Sequence, residues 1–208
     1  DSWSPYDKAM EGFWKGGIHW SVVQANEAIK YLDSKKGSDK PFFMYVAFNA
    51  PHDPRQSPKE YIDKYPLDDI GLPESFVPEH EYMAEMALMN GPEHHLVGGL
   101  LRDEALAPLP RTPHSIKVNR QEYFALISHL DTQIGRILDT LEENGQMKDT
   151  VIIFTADHGL AIGEHGLLGK QNMYEHSLRA PFVIAGPGIP KGEWRSAPIY
   201  IQDAVTTT

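Results

Sequence analysis

Three short apolar runs, set among amphipathic helical stretches, restrict this chain to a small set of folds. "KPFFMYVAF" is apolar and aromatic without interruption from Phe42 to Phe48, as a strand buried on both faces would be. "DTVIIFTAD" and "PFVIAGPG" repeat that signature further along. The stretch before the first run places Val22, Ala25, Ile29 and Leu32 at helical spacing and stops at Gly37. Before the second, "NRQEYFALISHLDTQIGRILDTLEENG" runs Phe124, Ile127, Leu130, Ile134, Ile137 and Leu141 along one face. Asn119 and Glu122 stand in capping-box spacing at its start, and Gly145 ends it. Helix, strand, helix, strand implies parallel pairing, with helices covering the sheet.

With 208 residues and 41% hydrophobic content, the chain suffices for one sizeable core. Residues 56 to about 116 break the pattern. They are rich in Pro and His and irregular, apart from a short helix expected at "EHEYMAEMALM", and read as a loop-dominated insertion. Against 19 Lys and Arg stand 29 Asp and Glu, a net charge of −10, with no basic block. Nucleic acid and anionic membranes are therefore poor partners, and an anionic substrate needs a local positive site. The absence of cysteine excludes disulfides, thiolate catalysis and zinc-thiolate sites. No apolar run approaches the ~20 residues of a membrane span. The chain opens at Asp1 without a methionine, which suggests a fragment of something longer.

In open α/β sheets, ligands gather beyond the carboxyl ends of the strands. The first apolar run is followed by Pro51, His52 and Asp53, and the second by Asp157, His158 and Gly159 and then by Lys170. Asp157 and His158 can meet on one ion if the chain turns at Gly159, although for so short a motif an Asp that caps the turn and a His that merely fills space are the commoner reading. Asp favours Mg or Ca and His favours Zn or Mn, and two ligands complete no shell. Lys170, on the loop "GLLGKQNMY", is either a solvated charge or the local cation that an anionic group needs in an acidic protein. His52 is either a turn residue or a ligand-orienting group held by Pro51 and Pro54.

Taken together, "TADHG…GEHGLLGKQNMYEHSLRAPFVIAGPG", "PFFMYVAFNAPHDP" and "YFALISHLDTQIGRILDTLEENG" resemble the type I sulfatases of the alkaline phosphatase superfamily, in the family's order. The resemblance implies a three-layer α/β/α sandwich around a mostly parallel mixed sheet. It implies hydrolysis of a sulfate ester, of a carbohydrate or small alcohol, by metal-assisted attack at sulfur. Asp157 and His158 take the metal-ligand roles, with Ca2+ the usual ion and Mg2+ or Mn2+ as alternatives. His52 and Lys170 take the roles of sulfate contacts. His165 falls close enough to touch substrate or to shape the loop, the second being favoured, while His176 and Arg179 are expected to fix the loop against the next strand. His94 and His95 read as exposed loop residues, and Met83, Met86 and Met89 as packing.

Two features of the family's pattern are not among these residues. The nucleophile is a formylglycine made from Cys or Ser in a "C/S-x-P-S-R" signature, and the metal site is completed by paired aspartates near the N-terminus. The expectation is a partial catalytic domain, with the nucleophile, the other ligands and a C-terminal subdomain outside residues 1–208. A phosphonate or phosphodiester hydrolase of the same superfamily, or a non-catalytic binder of sulfated glycans, is the alternative. A periplasmic or secreted location follows from the family alone.

Overall fold

A computed structural model describes residues 17–83, 85, 96–97 and 100–207. Helix α1 spans Trp20–Ser34, α2 Lys59–Ile62, α3 Pro113–Glu143, α4 Glu175–Leu178 and α5 Asp203–Thr207. Strands β1 (Leu96–Val97) and β2 (Leu100–Leu101) form one pair, and β3 (Ile152–Thr155) and β4 (Phe182–Ala185) another. No described helix is long and apolar enough to cross a membrane.

Helix α1 begins at His19, whose Nδ1 accepts from Ser21 N–H, and the chain leaves it through Gly37 at φ +71°. Helix α3 starts six residues before the expected box. Thr112 caps it, with Pro113 in the first turn and Ser115 closing a reciprocal capping box. Asn119 and Glu122 therefore lie inside the helix, and the Asn119 side chain donates to Ser115 O at 2.9 Å. Thr112 and Pro113 carry a start signal of their own, overlooked because this segment reads as insertion.

Ala25, Ala28 and Leu32 of α1 pack on Ile137 and Leu141 of α3. Phe42, Met44, Val46 and Phe48 close over them, while the intervening Phe43 and Tyr45 are 74% and 82% exposed. The run from Phe42 to Phe48 is thus one-sided rather than buried on both faces, and it forms no ladder among the described residues. Strands β3 and β4 also expose Phe154 and Val183.

Strands β3 and β4 run antiparallel, with Ile152 opposite Ala185 and Thr155 opposite Phe182, a pairing that a mixed sheet admits. Parallel neighbours need a crossover, usually a helix. Here the connection folds back on itself, Ala161 N–H bonding Gly169 O and Gly163 N–H bonding Leu167 O, and its four-residue α4 returns the chain alongside β3. The domain remains α/β.

The inward face of α3 also departs from the apolar stripe. Ile127 is exposed, whereas Glu122, His129 and Gln133 are buried. His129 lies between the rings of His19, centroids 4.3 Å apart, and Tyr61, 5.0 Å away. Burial, and then the neighbouring His19, pull its pKa from 6.5 to about 4. The unfolded chain takes up this proton near 6.5 and the folded chain only near 4, so this stability is present above 6.5 and is lost as the pH falls through that interval. We predict a lower urea midpoint at about pH 5 than at about pH 7, with a smaller drop in His129→Gln. Equal drops in both proteins would show that His129 is not the group responsible.

The segment read as insertion is not peripheral. Met83 packs on Ala161 and Leu167, and Ala107 and Ile116 pack on Leu168, with Phe76 and Leu106 beside them. Met83 is helical, as expected of that stretch; Met86, Met89, His94 and His95 lie outside the described residues.

Candidate active site

Two loops meet at this site. In the first, which follows the Phe42–Phe48 run, His52 N–H bonds Asn49 O at 2.9 Å, and its ring Nδ1 lies 2.8 Å from Asp53 O and 3.3 Å from Asp53 Oδ1. A carbonyl can only accept, so the proton sits on Nδ1 and Nε2 presents its lone pair. Lys170 Nζ occupies that position, 2.9 Å from His52 Nε2 across 118 residues of sequence. The lysine and histidine read separately as sulfate contacts are thus adjacent to each other.

Behind this loop, Arg55 is 7% exposed, donates to Asn119 Oδ1 at 2.8 Å and lies over the Tyr123 ring. Burial lowers its pKa, and Asp53 opposes that effect first among its neighbours. The turn that carries His52 is thereby pinned to α3. His19 does the same from α1: its Nδ1 accepts from Ser21 N–H, so Nε2–H donates to Gln56 O at 2.9 Å. Trp20 Nε1 donates to Asn49 Oδ1 at 3.1 Å. Between α1 and the loop lies a cleft of about 290 Å³ whose lining includes Trp20, Asn49, His52 and Asp53.

The second loop, between β3 and β4, is held through its backbone. Glu104 accepts from the N–H groups of Leu168 at 2.9 Å and Gly169 at 2.8 Å, and pairs with Arg111 Nη2 at 2.8 Å. The Arg111 side chain is fully buried. It also donates to the carbonyls of Gly166, Glu104 and Ala107. Burial lowers its pKa and Glu104 counteracts this. Asp103, 1% exposed, places Oδ2 3.1 Å from Lys170 Nζ. Sequence reading missed all four of these charged residues. Their signal is faint: charges within the Leu- and Pro-rich "RDEALAPLPR" and the "HDPR" turn, whose partners lie seven residues away without a regular period or more than sixty residues away.

At the start of the same loop, Asp157 Oδ1 accepts from His158 N–H at 3.0 Å, and Asp157 Oδ2 lies 3.5 Å from His158 Nε2. His158 Nδ1 is 2.7 Å from Gly159 O, so this ring is also protonated at Nδ1 and directs its Nε2 lone pair toward the exposed carboxylate. The pair fits two positions of a divalent-ion shell. Among the described residues no group of three or more His, Asp or Glu side chains is gathered to hold an ion. Gly159 is confined by close approach: a Cβ there would stand 2.0 Å from His176 O.

His165 adopts φ +54°, bonds Ser75 O through its N–H at 3.0 Å and stacks on Tyr174 with ring centroids 4.2 Å apart. Its described contacts are with the loop framework. Burial lowers the pKa of His176. Arg179 is exposed, and it is the backbone of residues 176–179 that packs on Gly159.

Residues 3–208 match the Sulfatase family. The chain is 37% identical to iduronate 2-sulfatase of Mus musculus over 175 residues, which is 83% of this chain and 30% of that protein. It is 34% identical to an arylsulfatase of Clostridium perfringens, covering 82% and 33%. Among solved structures, the phosphonate monoester hydrolase of Agrobacterium radiobacter superposes with a TM-score of 0.64 at 30% identity, over 81% of this chain and 33% of that one. The chain spans about a third of the length of these relatives. It has the alkaline-phosphatase-like α/β fold they share and belongs to the sulfatase family.

Proposed function

We propose that the complete protein hydrolyses a sulfate ester, and that His52 and Lys170 hold the sulfate group. The observation that carries this is the Lys170 ammonium against His52 Nε2, at 2.9 Å, in an acidic chain where two distant loops converge to place it. When a sulfate oxygen takes the place of the histidine lone pair, Lys170 Nζ donates to it. A proton taken up at His52 Nε2, with Asp53 Oδ1 beside Nδ1, makes the imidazole a second donor. The Lys170 ammonium then opposes the charge that develops on the departing ester oxygen. The cleft beside His52, with the indole of Trp20 on one wall, suits the organic part of the ester, and relatives named for iduronate and choline sulfates support a carbohydrate or small alcohol.

The nucleophile is assigned to a formylglycine outside residues 1–208, since these contain no cysteine and no "C/S-x-P-S-R" pattern. Asp157 and His158 would hold two positions of a divalent ion, most simply Ca2+, with the remaining ligands from elsewhere in the protein. Such an ion supplies charge neutralisation and orientation at the sulfuryl oxygens.

A second reading, phosphonate or phosphodiester hydrolysis, draws on the phosphonate monoester hydrolases that share the fold. Purified complete protein is expected to turn over an aryl sulfate with higher kcat/KM than the matching aryl phosphonate, and Asp157→Ala to lower its divalent-ion content by elemental analysis. Preference for the phosphonate would transfer the assignment to the second reading. Unchanged ion content would remove Asp157 from the metal site.

A further inference from the structure

We propose that Asp103 is a positioning residue for Lys170, aiming its ammonium at the sulfate site from the segment that sequence reads as a variable insertion. The inference rests on the sulfatase reading of Lys170 and extends it to the residue through which that lysine acts.

A lysine on a glycine-flanked loop has a long stem with many rotamers, and a single contact to a half-exposed histidine would not select one. Asp103 supplies what His52 lacks. Its carboxylate is almost wholly buried, and Oδ2 lies 3.1 Å from Lys170 Nζ while accepting from Gln171 Nε2 at 2.9 Å. Gln171 Oε1 in turn accepts the Lys170 backbone N–H at 3.1 Å, so stem and backbone of the lysine are tied to one carboxylate. The approach is tight. A Cβ on Gly169 would stand 2.6 Å from Gln171 Oε1, 2.9 Å from Asp103 Cβ and 3.0 Å from Glu104 Oε1, so only glycine lets the acidic segment come this near. The segment itself is anchored by Arg111, through Glu104 and the neighbouring carbonyls. The ammonium is therefore held between a buried carboxylate and His52 Nε2, directed at the position where the ester would lie.

A carboxylate in this place does not attract a sulfate; it orients the group that does. Its loss should therefore appear in the chemical step and depend on the leaving group. In the complete protein, Asp103→Asn, nearly the same in shape, is expected to lower kcat for an alkyl sulfate about tenfold or more, short of the ~10²–10³ expected for removing a preorganised charge itself. The loss should be clearly smaller for a nitrophenyl sulfate, without a matching rise in KM. In a Lys170→Ala background the same substitution should add little. Misfolding would lower both esters alike and would add to Lys170→Ala, and either result overturns the proposal.

A readout without turnover separates this inference from the function beneath it. Acetylation of Lys170 by acetic anhydride, followed by mass spectrometry against exposed Lys30 as reference, is expected to run several-fold faster in Asp103→Asn. An unchanged rate overturns the tether. If Lys170→Ala leaves both esters unaffected while the labelling rate rises, the sulfate assignment fails and the tether stands as geometry.

Discussion

Lys170→Ala in the complete protein is expected to lower kcat/KM toward an alkyl sulfate by ~10²–10³, the usual loss for one preorganised charge contact. Both kcat and KM should respond, because the ammonium binds the sulfate in the ground state and meets additional charge as the ester oxygen departs. A leaving phenol of low pKa carries its own charge and needs less help, so the loss should shrink for a nitrophenyl sulfate. The partner at 2.9 Å sharpens the test. With the lysine gone, His52 keeps the Nδ1 proton that Asp53 O demands but loses the donor at Nε2, so the two contacts should not be independent. A double cycle of Lys170→Ala with His52→Ala is expected to be less than additive. Unchanged kcat/KM for both esters in well-folded Lys170→Ala would return this lysine to the role of a loop residue.

Breaking the pair beneath that loop is expected to have the largest effect on stability. Removing one partner of a buried ion pair leaves the other charged and unmet, at a cost of about 3–5 kcal/mol. Arg111 and Glu104 meet the condition: their side chains are 0% and 4% exposed, and Nη2 and Oε2 are 2.8 Å apart. Glu104→Ala also strands the N–H groups of Leu168 and Gly169, whereas Arg111→Ala leaves the carbonyls of Gly166, Glu104 and Ala107 without their donor. Each variant should lower the melting temperature by roughly 6–20 °C, at about 2–4 °C per kcal/mol for a chain of this size. Glu104→Gln retains acceptors for the two amides and should lose less than Glu104→Ala. Melting temperatures within about 2 °C of the parent for both alanine variants would show that the pair does not hold the loop.

What the sequence determined by itself is local. The extent of α1, the glycine stops at Gly37 and Gly145, and the loops bearing His52, Asp157, His158 and Lys170 follow from side-chain periodicity and turn chemistry over short spans. The tertiary structure decided everything that depends on which distant segments meet. The direction in which β3 meets β4 is not legible in the sequence, because an apolar run is the same in parallel and antiparallel pairing, and only the folded-back 161–169 loop distinguishes them. The inward face of α3 is not legible either, because His129, Gln133 and Glu122 are polar and are buried all the same, His129 between the rings of His19 and Tyr61. Asp103, Glu104 and Arg111 were passed over for the same reason. A buried charge resembles a solvated one until its partner is known, and these partners lie about 65 residues away on the Lys170 loop or seven residues away across a turn with no regular period. Charges of this kind gain their function from desolvation and pairing, and both exist only once the chain has folded.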